Sequence, residues 1–281
     1  MAHLHVRAFG KLQVQSQTKA ITSFPTHHVE ELLGYLLLHQ ETEHHREKLI
    51  ELLWPDGSPE NARGRLNTVL WRLRSLLADL GLDTAVCLPS SRDWIAFTPA
   101  RPFTCDVAQF DDALAQAALA QDEMREHCLQ TAVSLYQGDL FDGLYTEWIL
   151  AAREQFARRH LHALGELMAA CLARHAYVDA LAHGHTILAA DPLREEVHRA
   201  LMVCYRQLGQ PSLAIQQFQH CARLLLDELH ILPLPETRAL YQQLLDERLQ
   251  QPHTAVDTAV HTAYHDFLRA GDRLNSLLNG D

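Results

Sequence analysis

Residues 62–77 read ARGRLNTVLWRLRSLL, and their apolar side chains recur at helical spacing. At about 100° per residue they converge on one stripe, which predicts a helix over about residues 60–80 with one buried face. The residues predicted to be buried are Ala62, Leu66, Val69, Leu70, Leu73, Leu76 and Leu77. Trp71 points away from the stripe, and residues 61–78 contain four arginines and no acidic residue. The predicted helix therefore has a buried apolar face and an exposed basic face.

The exposed face carries the side-chain types that bind duplex DNA. Arginine contacts guanine bidentately or holds phosphate, asparagine pairs with adenine, and threonine meets a phosphate or a thymine methyl group. An ordinary solvated helix face is the alternative interpretation, because arginine at helical spacing is common. The residues of this helix predicted to contact DNA are Arg63, Arg65, Asn67, Thr68, Trp71, Arg72 and Arg74.

The elements on either side complete a winged helix-turn-helix. Strands are predicted from alternating polarity and helices from helical spacing. The predicted strands are 3–9, 12–15 and 20–24, and the predicted helices are about 26–38 and 46–54. Residues 85–88 and 94–97 flank a turn rich in Pro, Ser and Asp, which predicts a β-hairpin. Arg92 at its tip is a further predicted DNA contact, in a minor groove or at a phosphate, with a solvated turn arginine as the alternative.

From Cys105 onward the sequence predicts almost only helices, separated by Gly or Pro turns. Ala180 and Ala214 lie 34 residues apart in equivalent places, and the residues around each partly match tetratricopeptide spacing. In the first of these two repeats Gly184 replaces the expected large residue. Such repeats stack on one another and leave a concave face for a partner. Residues 251–281 predict one more amphipathic helix, which caps the array or mediates self-association.

The overall acidity of the chain does not exclude DNA binding. The 281 residues carry a formal net charge of −11, but residues 1–104 hold 11 basic and 11 acidic residues. The whole net negative charge therefore belongs to residues 105–281, the part predicted to be helical. The sequence contains no run of 18 apolar residues and no signal-peptide core, so we expect a cytoplasmic protein that does not interact with membranes. Six scattered cysteines indicate reduced thiols.

Motifs for catalysis or metal binding do not stand out. The 19 histidines include several pairs, but no His-Glu-x-x-His motif occurs, so no metal site is expected. Asp139, Asp142 and Glu147 near Trp148 are interpreted as capping and turn residues rather than as a catalytic cluster. A Gly-x-x-x-x-Gly-Lys phosphate loop is also missing from the sequence. We expect neither enzymatic activity nor a cofactor.

Several of these stretches together resemble one protein family. Residues 62–77 resemble the recognition helix of OmpR/PhoB-type winged helices, most closely the version in SARP-type (antibiotic regulatory protein) activators. Residues 49–56 resemble the second helix and following loop of that family. Residues 105–110, and 132–140 with Trp148, resemble its bacterial transcriptional activator domain.

The resemblance covers roughly residues 3–250 and implies the fold class. It implies a mainly α protein with a small α+β domain, namely a winged helix-turn-helix followed by an all-α tetratricopeptide-like repeat domain. The expected domains are 1–104, which binds DNA, 105–250, which is the activator domain, and the tail 251–281. The sequence departs from the family pattern at Gly64 and Trp71, so the family's base preference is not carried over.

The resemblance also implies a function and partners. It implies a sequence-specific transcription activator that binds promoter-proximal repeats in double-stranded DNA and recruits RNA polymerase, with a homodimer as a further possibility. Pro55, Asp56 and Gly57 match a loop that contacts polymerase in OmpR-like proteins, and a simple turn is the alternative. Two other hypotheses stay open: a tetratricopeptide-like protein-interaction module, and a ligand sensor without direct DNA reading.

Overall fold

A small mixed sheet and a group of short helices open the structure, which is a computed structural model. The described residues are 4–17, 19–55, 61–99 and 102–249. Packing divides the chain into two compact units, residues 1–163 and 164–281. The first unit contains β1 (Leu4–Arg7), β2 (Gln13–Gln15), β3 (Ala20–Ile21), α1 (His27–Leu38), β4 (His44–His45), α2 (Arg46–Leu53), α3 (Ala62–Asp79), α4 (Thr84–Cys87), β5 (Trp94–Ile95), β6 (Phe103–Cys105), α5 (Asp106–Leu119), α6 (Asp122–Leu135) and the start of α7 (Glu147–Ala173).

The sheet of the first unit has the strand order β3-β2-β1-β6. β1 runs antiparallel to β2, with Val6 opposite Val14, and parallel to β6, with Val6 opposite Cys105. Leu4 and Val6 are buried while Arg7 is exposed, so the alternation in the sequence predicted the buried face correctly. Since an edge of this sheet is completed by β6, the N-terminal strands depend on residues that follow the helix-turn-helix.

α1, α2 and α3 form the helical part of the winged helix, and the prediction of this fold is confirmed. α3 begins directly after Asn61, whose φ of 62° places it in the left-handed region that asparagine tolerates. The buried face of α3 consists of Ala62, Leu66, Val69, Leu70, Leu73 and Leu77. Leu76, also predicted to be buried, is only half-buried. The opposite face of α3 is left to solvent.

The predicted hairpin is correct in its second arm, residues 94–97, and wrong in most of its first arm, residues 85–88. Residues 84–87 form the short helix α4 instead of a strand, because Asp83 caps it by accepting the Ala85 N–H at 3.0 Å. The hairpin is therefore shorter than predicted and consists of residues 89–96, which we call the wing. In it, Ala96 N–H donates to Pro89 O at 3.0 Å. β5, on the returning arm of the wing, also pairs with β4.

The first unit continues well past residue 104, where the composition of the sequence changes. The carboxylate of Asp106, in the first turn of α5, is buried and accepts N–H groups of Ala8 and Phe9 at 2.9 and 3.0 Å. Phe9 in turn packs edge-on against Phe110 of α5 and Phe156 of α7. The segment after β1 is therefore held by helices that the sequence assigned to the second domain.

Residues 138–144, which we call the strap, attach to the same segment. Gly10 N–H donates to Asp139 O at 2.8 Å, and Phe141 N–H donates to Ala8 O at 2.9 Å, so the strap adds strand-like pairing beside β1. Arg153 of α7 holds the strap by donating from its guanidinium to Leu140 O and two further strap carbonyls at 3.0–3.1 Å. The strap therefore packs as part of the winged-helix unit.

The second unit is a helical repeat array. It contains the end of α7 together with α8 (Tyr177–Ala190), α9 (Glu195–Gln207), α10 (Pro211–Leu229) and α11 (Pro235–Leu249). Ala180 and Ala214, the residues at the 34-residue offset, are both fully buried. A Cβ at Gly184 would lie 2.5 Å from Cδ2 of the fully buried Leu201, so a side chain at this position of α8 would require Leu201 of α9 to shift. The predicted tail helix lies outside the described residues.

The described part of the chain contains no helix long and apolar enough to cross a membrane. All six cysteines are free and buried. Within the same described ranges, no group of three or more His, Cys, Asp or Glu side chains is arranged to hold a metal ion.

Buried histidine makes the stability of the first unit sensitive to acid. His160 of α7 stacks on Tyr136 with ring centroids 4.3 Å apart, and burial lowers the pKa of His160 to about 4. This folded-state pKa lies below the unfolded value, so the stabilisation is complete above about pH 6.5 and is lost as pH falls toward 4. The full shift corresponds to about 3 kcal/mol, which partial solvent exposure reduces to about 1–2 kcal/mol at pH 5.

Urea unfolding at pH 7.5 and 5.0 measures this effect. All four tryptophans lie in residues 54–148, so tryptophan fluorescence reports the first unit. We expect the His160→Phe variant to lose about 1–2 kcal/mol less stability than the wild type between the two pH values. His162→Phe, which alters an exposed histidine of the same helix, is the matched control. An equal loss in both variants would contradict the assignment of the effect to His160.

Candidate nucleic-acid interface

The solvent-facing side of α3 carries the residues that the sequence singled out. Trp71 leaves 68% of its surface exposed, which is unusual for the largest side chain. The other exposed residues of this face are Arg63, Gly64, Asn67, Thr68 and Ser75. Arg65, Arg72 and Arg74 flank it and are half-buried. We call these α3 residues, together with the wing, the basic face.

The wing lies beside α3 and is joined to it through side chains. Arg74 donates from Nη2 to Ser90 Oγ at 2.5 Å, which connects the C-terminal half of α3 to the wing. The wing turn closes where Ser91 N–H donates to Trp94 O at 2.8 Å, leaving Arg92 exposed at the tip. Trp94 is 44% exposed and contributes an aromatic ring to the same surface.

We include Arg46, the first residue of α2, in the basic face, although the sequence did not predict it. Its Nη1 donates to Asn67 Oδ1 at 2.8 Å, and its Nε donates to Ser91 O at 3.1 Å. The Arg46 backbone N–H also donates to Asp93 O at 2.9 Å. One side chain therefore joins α2, α3 and the wing. Its partners are 21 and 45 residues away along the chain, so no local pattern could have shown them.

The charges of the basic face reinforce one another. Partial burial lowers the pKa of Arg46, and repulsion from Arg74 and Arg63 lowers it further. Arginine stays charged at all physiological pH values despite such a shift. The three guanidinium groups thus concentrate positive charge where α2, α3 and the wing meet, and this arrangement attracts polyanions.

Two carboxylates, of Glu47 and of Asp93 in the wing, lie beside this positive region. Arg63 donates from Nε to Glu47 Oε1 at 3.0 Å and also forms an ion pair with it through Nη2. The hydrogen bond from Arg63 lowers the pKa of Glu47. His45 Nδ1 lies 2.7 Å from the other oxygen of Glu47. Exposed ion pairs of this kind exchange readily, so a phosphate or a base can replace Glu47 as the partner of Arg63.

Arg65 has a different environment from the other predicted contacts. Its guanidinium lies over the ring of Trp54, 5.0 Å from the centroid, and Trp54 also stacks on His28. This cation–π contact holds Arg65 at the side of α3 toward the loop that follows α2. Of the predicted polymerase-contact residues in that loop, Pro55 is exposed. Asp56 and Gly57 lie outside the described residues.

Gly64 has no packing reason to be glycine. A Cβ built at this position would meet no heavy atom within 4 Å, so the first turn of α3 opens directly to solvent. Glycine inside a helix is destabilising by about 1 kcal/mol relative to alanine. Its presence on the basic face therefore fits close approach of another molecule to the helix backbone.

The chain is similar to several known proteins. The family model described as "Bacterial transcriptional activator domain" matches residues 105–245, just over half of the chain. Regulatory protein AfsR of Streptomyces coelicolor is 27% identical over 219 residues, covering 76% of this chain and 21% of AfsR. Transcriptional regulatory protein MoaR1 of Mycobacterium tuberculosis is 24% identical over 222 residues, covering 76% of this chain and 70% of MoaR1.

A third relative connects the sequence comparison to a solved structure. Transcriptional regulatory protein EmbR of Mycobacterium tuberculosis is 27% identical over 224 residues, covering 76% of this chain and 56% of EmbR. The structure of EmbR in complex with a low-affinity phosphopeptide superposes with a TM-score of 0.71 at 22% identity, covering 97% of this chain and 72% of that one. This likeness shows the fold.

The chain spans about a fifth of the length of the AfsR proteins and over half of MoaR1 and EmbR. Because the family model matches just over half of the chain, the chain belongs to the bacterial transcriptional activator domain family.

Proposed function

We propose that this chain activates transcription by binding duplex DNA sequence-specifically through the basic face. The observation that supports the proposal is the exposed side of α3, which presents Arg63, Asn67 and Trp71 and carries its one acidic residue, Asp79, at the C-terminal end, where it pairs with Lys19. An α-helix fits the major groove of B-DNA, where base edges are distinguishable. The names of the relatives, which are transcriptional regulators, support the same function.

The geometry of the face suggests how it docks. Arg63 and Arg74 lie 11 residues apart, which is about 16 Å along a helix axis and corresponds to about five base pairs. We propose that the residues between them read base edges while the wing, through Arg92, contacts a phosphate or the adjacent minor groove. Arg65 and Arg72 on the flanks are proposed to contact the backbone.

The remaining parts of the proposal concern domains and partners. Residues 1–104 carry the DNA contacts, but a DNA-binding fragment has to extend to residue 163 because α5, α7 and the strap complete its packing unit. Residues 105–250 are proposed as the activator domain, and the loop at Pro55 as a contact to RNA polymerase in the cytoplasm. Binding to promoter-proximal repeats is proposed to bring two copies of the chain together.

Selection of bound fragments from genomic DNA with the purified chain tests the proposal. We expect an enriched motif whose half-sites are spaced by about one helical turn, or 10–10.5 base pairs, or a multiple of it. Affinity for the motif should fall steeply between about 50 and 200 mM salt, as basic contacts to phosphate require. Absence of any enriched sequence at low salt would overturn the proposal.

Gly64→Ala separates stability from DNA binding. We expect the substitution to stabilise the first unit by about 0.5–1 kcal/mol, because alanine is the better helix former and its Cβ meets no heavy atom. The same Cβ should weaken DNA binding if the α3 backbone approaches the duplex. Ser75→Ala, at another exposed position of α3, is the control for both measurements. Gly64→Ala with unchanged DNA affinity would remove close backbone approach from the docking model.

A further inference from the structure

We infer that Arg46 fixes the orientation of Asn67 so that the two side chains together read guanine rather than adenine. The inference rests on the proposed function, since it names the base that one position of the basic face selects. It replaces the pairing of Asn67 with adenine that residue type alone predicts. The geometry that carries it is the contact between Arg46 Nη1 and Asn67 Oδ1 at 2.8 Å.

The orientation of the Asn67 amide follows from chemistry. A guanidinium has five N–H donors and no acceptor, so the Asn67 atom that faces Arg46 has to be the carbonyl oxygen. The NH₂ group of Asn67 then lies on the other side of the amide. Asn67 is exposed, and the contact lies on the solvent side of α3. The amide therefore offers a donor to a molecule that docks on the basic face.

Contacts to the wing keep Arg46 from moving with Asn67 if the Asn67 amide rotates. Its Nε is bonded to Ser91 O at 3.1 Å, and its backbone N–H is bonded to Asp93 O at 2.9 Å, so the wing holds it from two directions. A docked duplex would exclude water from these contacts, which strengthens them. The Arg46–Asn67 pair is thus arranged before DNA binds.

A pair with this arrangement discriminates between purines. Bidentate pairing of asparagine with adenine needs Oδ1 to accept from the adenine N6 amino group while the NH₂ donates to N7. Arg46 takes one lone pair of Oδ1, and an adenine amino group that approached the other would lie beside guanidinium N–H groups, donor against donor. Guanine presents two acceptors, O6 and N7, in the same place, and both suit a pair that offers only donors.

Selection of bound duplexes with the full chain and its variants tests the inference. Asn67→Ala identifies the base position that Asn67 reads, because only that preference should disappear. We expect guanine there in the wild type, favoured over adenine on the order of tenfold. Arg46→Met keeps a long apolar stem but removes the hydrogen bond to Asn67 Oδ1. We expect it to lower the guanine-to-adenine ratio at this position on the order of tenfold. Lys48→Met is the matched control, since it removes an exposed positive charge from the same helix.

Asn67→Asp tests the inference independently of Arg46 and so keeps it open to refutation if Arg46→Met does not fold. Aspartate still accepts from Arg46 but has no N–H, so the preference for guanine should be lost. Adenine at the Asn67 position in the wild type, no position affected by Asn67→Ala, or a guanine preference that persists in folded Arg46→Met would each overturn the inference. Failure of the wild type to enrich any sequence would overturn the proposed function itself, which is a different result.

Discussion

Replacing Phe141 of the strap with alanine should lower the free energy of unfolding of the first unit by about 3–5 kcal/mol. Phe141 is fully buried, and its ring lies against Gly34 of α1, where an added Cβ would be only 3.0 Å from the ring Cζ. The ring also meets Trp148 at a centroid distance of 6.2 Å. Removal of the ring leaves a cavity between α1 and the strap that backbone pairing to residues 8 and 10 prevents from closing.

The backbone of Phe141 gives the same prediction a second basis. Its φ of 50° lies in the left-handed region, which is strained for a bulky side chain and persists only where the surroundings impose it. The free energy gained by packing the Phe141 ring therefore outweighs the cost of this backbone conformation. Phe141→Gly removes that cost as well as the ring. We therefore expect it to lower the free energy of unfolding by less than the removal of one more carbon atom than in Phe141→Ala suggests.

Urea unfolding followed by tryptophan fluorescence measures both variants. Tyr145→Ala is the matched control, because it removes a ring of similar size from the adjacent segment where 71% of the residue is exposed. We expect a loss below about 1 kcal/mol for that control. A loss below about 1 kcal/mol for Phe141→Ala would show that the strap does not stabilise the winged-helix unit.

The strap also shows which parts of the fold the sequence could predict. Helices α1 to α3 and the buried stripe of α3 followed from periodicity within each segment, since each pattern is local. Residues 138–144 carry turn residues, and their partners at residues 8–10 are about 130 positions earlier. Pairing over such a separation leaves no periodic signal, so the sequence indicates capping and turn residues there and a resemblance to the activator domain, but not the pairing. The division at residue 163 was unpredictable for the same reason.

The hairpin and the basic face illustrate two further limits. Residues 85–88 are apolar and short, and such runs do not distinguish a strand from a helical turn. Asp83, which caps α4, was the available signal. On the basic face, the exposure of Asn67 and Trp71 followed from the helical stripe. Arg46 did not, because its role depends on tertiary contacts to α3 and the wing rather than on its place in α2.

Simultaneous replacement of Arg63 and Arg74 by alanine should produce the largest loss of DNA affinity among the variants of α3. Each arginine is expected to contribute about 1–3 kcal/mol if it reads a base. Arg74 is already oriented toward the wing by Ser90, while Arg63 first has to exchange Glu47 for DNA. Gel shift or fluorescence titration on the selected motif measures the loss. Arg223→Ala, which removes an exposed arginine from α10, is the control.

The part of the loss that belongs to Arg63 can be separated by a double-mutant cycle with Glu47. Arg63→Ala leaves the Glu47 carboxylate without its arginine partner beside the docking surface, where it repels phosphate. Glu47→Gln should therefore raise the DNA affinity of the otherwise wild-type chain and restore part of the affinity of Arg63→Ala.

The dependence of the loss on DNA sequence distinguishes two roles for each arginine. Loss of affinity that is uniform across sequences would assign an arginine to phosphate, whereas loss confined to one base position would assign it to base reading. Unchanged affinity in the double arginine variant would overturn the assignment of Arg63 and Arg74 to the DNA-reading surface.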